Sequence, residues 1–241
     1  MMNMGELYTP TNNRLIAALP VADYERLLPH LELVPLVLGK VIYEAGEAQP
    51  HVFFPIRGVV SLLQVMRDGF AAEIAVVGNE GMVGISLFMG GESTPGRAIV
   101  QRPGYAYRLK GSLLKGECER NSALQYLLLR YTQSLITEIT QTAACNRHHA
   151  VEQQLCRWLL LSLDRESSSD PTTTVIGNIL GVRRDGVAEA ANSLKAAGFI
   201  DYTDGKITVL DRLKLEARVC ECYGVVRKET DRLFARKISS L

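Results

Sequence analysis

The sequence predicts an α+β fold in three parts: a compact antiparallel β domain, a long helix, and a winged helix-turn-helix near the C-terminal end. Three observations predict it. Short apolar runs separated by glycines fill residues 36–109, an apolar stripe at helical spacing runs from Leu124 to Thr142, and a glycine-turned helix pair followed by an Asp-Gly hairpin spans 172–210.

The β domain rests on VIYEAG (41–46), HVFFPIRG (51–58), VVSLLQV (59–65), AAEIAVVG (71–78), RAIVQ (97–101) and YAYRL (105–109). Short strands at regular spacing with glycine-bearing turns form a small barrel or double sheet. Gly39, Gly46, Gly58, Gly69 and Gly78 are the expected turn residues, where the backbone takes positive φ.

Beyond Gly116 the texture becomes helical. Leu124, Leu128, Tyr131, Leu135, Ile139 and Thr142 follow a 4-3-4-4-3 spacing, which keeps one narrow stripe pointing one way for nearly three heptads. Such a stripe either pairs with a second copy of the helix or lies on its own barrel; its length favours self-association. A second helix is expected from His148 to Asp164, with Val151, Leu155, Trp158 and Leu159 inside, and the serine run and Asp-Pro step of ESSSDP (166–171) end it.

Residues 172–200, TTTVIGNILGVRRDGVAEAANSLKAAGFI, read as two helices about a tight turn. Thr172, Thr173 and Thr174 stand where they would cap the first helix and donate to phosphate. Ile176 and Leu180 face inward, Gly181 supplies the turn, and Val187, Ala191 and Leu194 close the small core from the second helix. Arg184, Asp185, Ala188, Glu189 and Asn192 are left on the outer face, where a recognition helix meets base edges. The residue types suit base reading, since arginine pairs guanine O6 and N7, carboxylates accept from cytosine N4, and asparagine suits adenine. Arg183 is assigned to phosphate. In FIDYTDGKITVL (199–210) two alternating strands flank Asp204-Gly205, a two-residue hairpin that makes a wing with Lys206 at its tip. Gly186 weakens the second helix by about 1 kcal/mol relative to alanine.

The 241 residues, 47% hydrophobic and 22% charged, are enough for one large domain or two modest ones. Without a membrane-length apolar run or a leader pattern, the chain is expected in the cytoplasm with no membrane partner. The net charge is only +1. From Thr172 onward twelve Lys/Arg face nine Asp/Glu, so DNA binding would rest on a few placed side chains rather than a broad positive field. Five cysteines, an odd number at scattered spacings, argue for reduced thiols rather than a disulfide framework. Cys220 and Cys222 form a C-x-C pair, but no second pair or neighbouring histidine along the sequence completes a four-ligand site, so neither metal nor cofactor is expected. The adjacent His148 and His149 are expected to be solvated. Residues 213–241 read as one helix with Leu215, Val219, Cys222 and Val226 on a stripe.

Phosphate-loop, dinucleotide, zinc-protease and nucleophile-elbow motifs are all missing, and the four histidines stand at no triad spacing, so an enzyme is not expected. The competing reading is a ligand- or redox-sensing module with a degenerate DNA-binding domain, favoured by Gly186 and the weak basic balance.

The strings HVFFPIRGVVSLL, EGMVGISLFMGG, STPGRAIVQ, ILGVRRDGVAEA and CECY give the whole chain a likeness to one family. It resembles the Crp/Fnr bacterial regulators, in a branch of unknown effector. The resemblance implies a β-roll or jelly-roll sensor domain (1–117), a dimerisation helix (118–147) and a winged helix-turn-helix with a helical extension (148–241). It also implies a homodimer on a two-fold-related site in double-stranded DNA, with RNA polymerase as a further partner. By motif position Arg184, Asp185 and Glu189 match the family's base-reading residues; the cAMP-responsive branch has Arg, Glu and Arg there, so Glu189 reverses a charge. The family's cyclic-nucleotide cassette runs Gly-Glu-Leu and later Arg-Ser or Arg-Thr. Here those positions are Gly84-Ile85-Ser86 and Arg97-Ala98, without the ribose-binding carboxylate or the hydroxyl. The expectation is an effector pocket that does not take cAMP in the family manner. The cysteine set that holds an iron–sulfur cluster in another branch is missing, since no cysteine precedes Cys118.

Overall fold

The computed structural model describes residues 8–120, 122–165, 173–175, 184–203 and 206–235, with the backbone alone for 173–175 and 184–185. Two short helices, α1 (Arg14–Ala17) and α2 (Val21–Leu27), lead into a five-stranded antiparallel sheet: β1 (Glu32–Leu36), β2 (Val41–Tyr43), β3 (His51–Val65), β4 (Ala71–Val77) and β5 (Gly96–Lys110). The strand order is β1-β5-β3-β4, with β2 also pairing β5. Between β4 and β5 lies the short helix α3 (Ile85–Phe88), and α4 (Gly111–Glu119) follows β5.

Where glycine-bounded runs suggest four strands, the chain makes two long ones. Gly58 and Gly104 bend rather than end them. A Cβ on Gly58, whose φ is +90°, would stand 2.7 Å from the Arg102 carbonyl oxygen, and one on Gly104 would overlap that of Arg57. Only glycine lets the backbones approach this closely, and the β3–β5 register shifts between Pro55 and Val60. The shifts coil the sheet into a roll. Gly39, Gly46 and Gly69 have the expected positive φ; Gly78 does not, and serves close packing instead, because a Cβ there would lie 2.5 Å from Cβ of Arg165.

The long helix α5 (Ala123–His148) starts at Ser122, whose side chain accepts from the Gln125 N–H, and ends at extended His149. Residues 118–119 belong to α4. The expected partner-facing stripe is turned inward: Leu124, Leu128, Tyr131 and Leu135 are buried in one core with Val52, Phe54, Leu109 and Leu114 of the same chain, and Ile139 packs against that core. Thr142 accepts a 2.8 Å hydrogen bond from Arg157. Burying each of those large side chains stabilises the roll by about 1.5–3 kcal/mol, so the stripe is the roll's lid rather than a dimer seam. Periodicity reveals a buried face without revealing what buries it.

A second core gathers α6 (Val151–Asp164), α7 (Arg184–Ala196), α8 (Arg212–Arg218), α9 (Glu221–Ala235) and a small sheet of β6 (Thr173–Val175), β7 (Ile200–Thr203) and β8 (Lys206–Val209) in the order β6-β8-β7. Leu155, Trp158, Leu159, Val187, Ala191, Leu194, Ile200, Ile207, Leu215, Tyr223 and Val226 fill it. The C-terminal extension is two helices. Val219, in extended conformation (φ −67°, ψ 151°), ends α8 and redirects the chain before α9. Helix α9 then returns along α5, with Arg130 donating to the Arg232 carbonyl and Leu233 joining the core of the roll. Arg14 places its guanidinium 4.0 Å above the Phe234 ring. Among the described residues no helix is long and apolar enough to cross a membrane.

Candidate nucleic-acid interface and effector residues

The helix expected to face DNA is α7. Its inner face is the expected one, with Val187, Ala191 and Leu194 buried and Ala190 beside them. Arg184 and Asp185 occupy its first two positions, Glu189 and Asn192 are exposed, and Ala188 is half-buried. Gly186 is accommodated within the helix. Past Ala196 the chain closes by backbone hydrogen bonds from Gly198 N to Lys195 O and Phe199 N to Leu194 O, with Gly198 at φ +72°. This glycine stop brings β7 back beside the helix, and Lys195 fastens the two, donating to the Tyr202 carbonyl at 2.7 Å and pairing Asp201 at 3.0 Å.

The wing forms as the alternation requires. Ile200↔Val209 through Thr203↔Lys206 are paired, leaving a two-residue connection, and Lys206 is exposed at the first position of β8. Asp204 and Gly205 themselves lie outside the described residues, as do Thr172, Ile176 and Leu180 of the expected first helix, Gly181 of the turn, and Arg183.

Thr173 and Thr174, expected at the start of a helix, have strand backbone instead. They belong to β6, which pairs β8 through Thr173↔Thr208, Thr174↔Ile207 and Val175↔Lys206. A run of β-branched residues facing a free strand edge gains more from a ladder than from a helical turn. The wing is therefore a three-stranded sheet.

The expected effector residues lie in two segments, at α3 and at the start of β5. Gly84, in left-handed conformation (φ +98°), stands at the N-cap of α3, and Ile85 and Ser86 begin that helix. The Ser86 hydroxyl donates to Gln49 Oε1 at 2.8 Å. Arg97, at the phosphate-pairing position of the resemblance, instead donates from Nε to Glu44 Oε2 at 2.7 Å, and Ala98 is fully buried. A ligand anion at Arg97 would have to compete with the Glu44 carboxylate.

Two constellations escaped the sequence reading. Arg165, at the C-cap of α6, donates to Glu80 Oε1 at 2.8 Å and Glu138 Oε2 at 2.5 Å, all three buried. Burial opposes its charge, but the carboxylates of Glu138 and Glu80 overcome that and raise its pKa. Glu73 lies close by on β4, its carboxyl pushed up to about 8 by burial. The second corrects the expectation of an incomplete metal set: Cys145, in the last turn of α5, and His149, just past its end, meet Cys220 and Cys222 at the start of α9. The C-x-C pair was visible in the sequence, and so was the C-x-x-x-H spacing, but 75 residues separate them.

Comparison with known proteins agrees with this architecture. Residues 34–121 match the cyclic nucleotide-binding domain and residues 153–218 the Crp-like helix-turn-helix domain. FixK2 from Bradyrhizobium japonicum is similar in structure with a TM-score of 0.65 at 16% identity, covering 79% of this chain and 98% of its own. The c-di-GMP-responsive global regulator CLP of Xanthomonas campestris follows at 0.61 and 14%, covering 79% and 99%. A CRP/FNR-family transcriptional regulator from Thermus thermophilus superposes at 0.56 and 20%, covering 77% and 97%. No curated protein sequence matches. The fold and its two matched domains define a transcription regulator with a sensor-type β-roll joined by a long helix to a helix-turn-helix. The chain belongs to the Crp/Fnr family of regulators.

Proposed function

We propose that the protein is a sequence-specific DNA-binding regulator that acts as a homodimer in the cytoplasm. The observation that carries this reading is α7: its apolar face is locked into the second core, Glu189 and Asn192 are exposed, Arg184 and Asp185 take its first two positions, and a wing with exposed Lys206 follows. Arg184, Asp185 and Glu189 read base edges; Lys206 and Arg183 hold phosphate, with Thr172 and Thr173 near the same backbone. Thr173 would then reach phosphate from a strand rather than a helix cap.

The dimer face is the side of α5 that the roll leaves open. Tyr126, Leu129, Gln133, Ile136 and Thr140 are exposed on it at 3-4-3-4 spacing, with Leu129 55% and Ile136 49% accessible. That spacing is a coiled-coil seam, and a second copy of α5 is the occupant that matches it. A two-fold dimer then presents two α7 helices to successive major-groove turns.

The sensor domain does not bind cAMP in the family manner, a reading supported by the Arg97–Glu44 pair and by Ile85 at the glutamate position. Micromolar cAMP affinity by calorimetry, lost in Arg97→Ala, would overturn it. Selection of bound fragments from random DNA tests the whole reading: a two-fold symmetric motif, bound less well by Arg184→Ala in gel shifts, is expected. Failure to retard any fragment, including the protein's own upstream region, would favour a sensing module without a working DNA-binding domain.

A further inference from the structure

Where α5 ends and α9 begins, four metal-binding side chains converge. Cys145, His149, Cys220 and Cys222 each place one ligand atom within 4.8 Å of all the others. Cys145 Sγ lies 3.7 Å from Cys220 Sγ, and Cys222 Sγ lies 3.4 Å from His149 Nδ1. A tetrahedral zinc ion with Zn–S bonds near 2.3 Å and a Zn–N bond near 2.05 Å sets its ligands about 3.8 Å apart (S to S) and about 3.6 Å apart (S to N). The two distances in the protein match those edges to within about 0.2 Å. We propose that Cys145, His149 through Nδ1, Cys220 and Cys222 bind one zinc ion in a closed Cys₃His site.

Three further features suit a metal. The outer ring nitrogen of His149, Nε2, stands 3.4 Å from a Glu221 carboxylate oxygen. With its proton on Nε2 beside that carboxylate, the ring would turn its Nδ1 lone pair toward Cys222 in a carboxylate–histidine–metal arrangement. Gln141 Nε2 donates to Cys222 Sγ at 3.1 Å, a bond that favours thiolate. Cys220 and Cys222 flank the first residue of α9, where the helix N-terminus stabilises negative charge. The sulfurs are buried, and His149 is the one ligand with appreciable exposure, so the geometry is that of a structural site with no open position.

Binding releases the protons of the three thiols to solvent and leaves the imidazole neutral. The ion then clamps the C-terminal end of α5 to α9, joining the long helix to the helix-turn-helix domain at a point where the described side chains offer only a small apolar cluster.

The test uses the full chain purified under reducing conditions. Elemental analysis should find one zinc ion per chain, and replacement by cobalt(II) should give the intense visible bands of tetrahedral thiolate coordination. Cys222→Ser and His149→Ala should abolish those bands, while Cys118→Ser, remote from the cluster, should keep them. Glu221→Gln, which leaves all four ligands, should weaken zinc affinity about 10- to 100-fold in competition with a chromophoric chelator. Wild-type chain with all thiols reduced that takes up no zinc at micromolar concentration would overturn the proposal. So would a weak octahedral cobalt spectrum, or zinc uptake unchanged in Cys222→Ser.

Discussion

Arg165 and Glu138 form a buried ion pair of 2.5 Å that joins the end of α6 to the middle of the long helix, with side chains 5% and 7% exposed. The same guanidinium holds Glu80 beside β4, so one residue ties the roll, the long helix and the C-terminal half together. Glu138 also accepts from the Val76 N–H at 3.1 Å, completing the link to the sheet.

Removing Arg165 leaves two buried carboxylates facing each other without a cation. Arg165→Ala should cost about 3–5 kcal/mol in urea denaturation, since breaking one side of a buried pair exposes the other to its full desolvation penalty. A loss below about 1 kcal/mol would show that water reaches the carboxylates and that the triad is not dry.

Glu73 makes stability depend on pH. Its folded pKa of about 8 lies above the ordinary 4.5, so the folded chain holds a proton that the unfolded chain releases. The protonated group's stabilising contribution is fully present below 4.5 and is lost as pH rises through about 8. The difference in unfolding free energy between wild type and Glu73→Gln should therefore change by about 1.4 kcal/mol per pH unit across that window, to the wild type's disadvantage. Parallel stability curves for the two proteins would refute the shift.

The two faces of α5 should respond differently to substitution. Leu128→Ala, inside the roll's core, should destabilise the chain by about 2–5 kcal/mol without changing the association state of what remains folded. Leu129→Glu with Ile136→Glu, on the open face, should give a folded monomer in sedimentation experiments. A dimer that survives the double substitution would place the interface elsewhere.

Base reading and phosphate holding separate in binding experiments. Arg184→Ala should cost about 1–3 kcal/mol and relax preference at one position of each half-site. Lys206→Ala should weaken all sequences alike and reduce the slope of log affinity against log salt by about 1. Equal losses on every sequence for Arg184→Ala would move that residue from bases to backbone.

What the sequence by itself determined is what local periodicity encodes. The strand runs, the long helix, the inner face of α7 and the Asp-Gly wing were all legible, because an element's inner face repeats every 2 or 3.6 residues whatever covers it. The resemblance of the motif strings likewise pointed to the family that the matched domains show. The tertiary structure decided which partner each face meets. It sealed the Leu124–Leu135 stripe inside the roll and left Leu129 and Ile136 outside, bent single strands at Gly58 and Gly104 where glycines suggested turns, and drew Thr173 and Thr174 into a sheet edge. It also brought together groups that no window of sequence spans: Arg165 with Glu80, 85 residues apart, and Cys145 with Cys220, 75 apart. Buried charges and metal-ligand geometry depend on three-dimensional proximity, and that proximity follows only after the helices have packed.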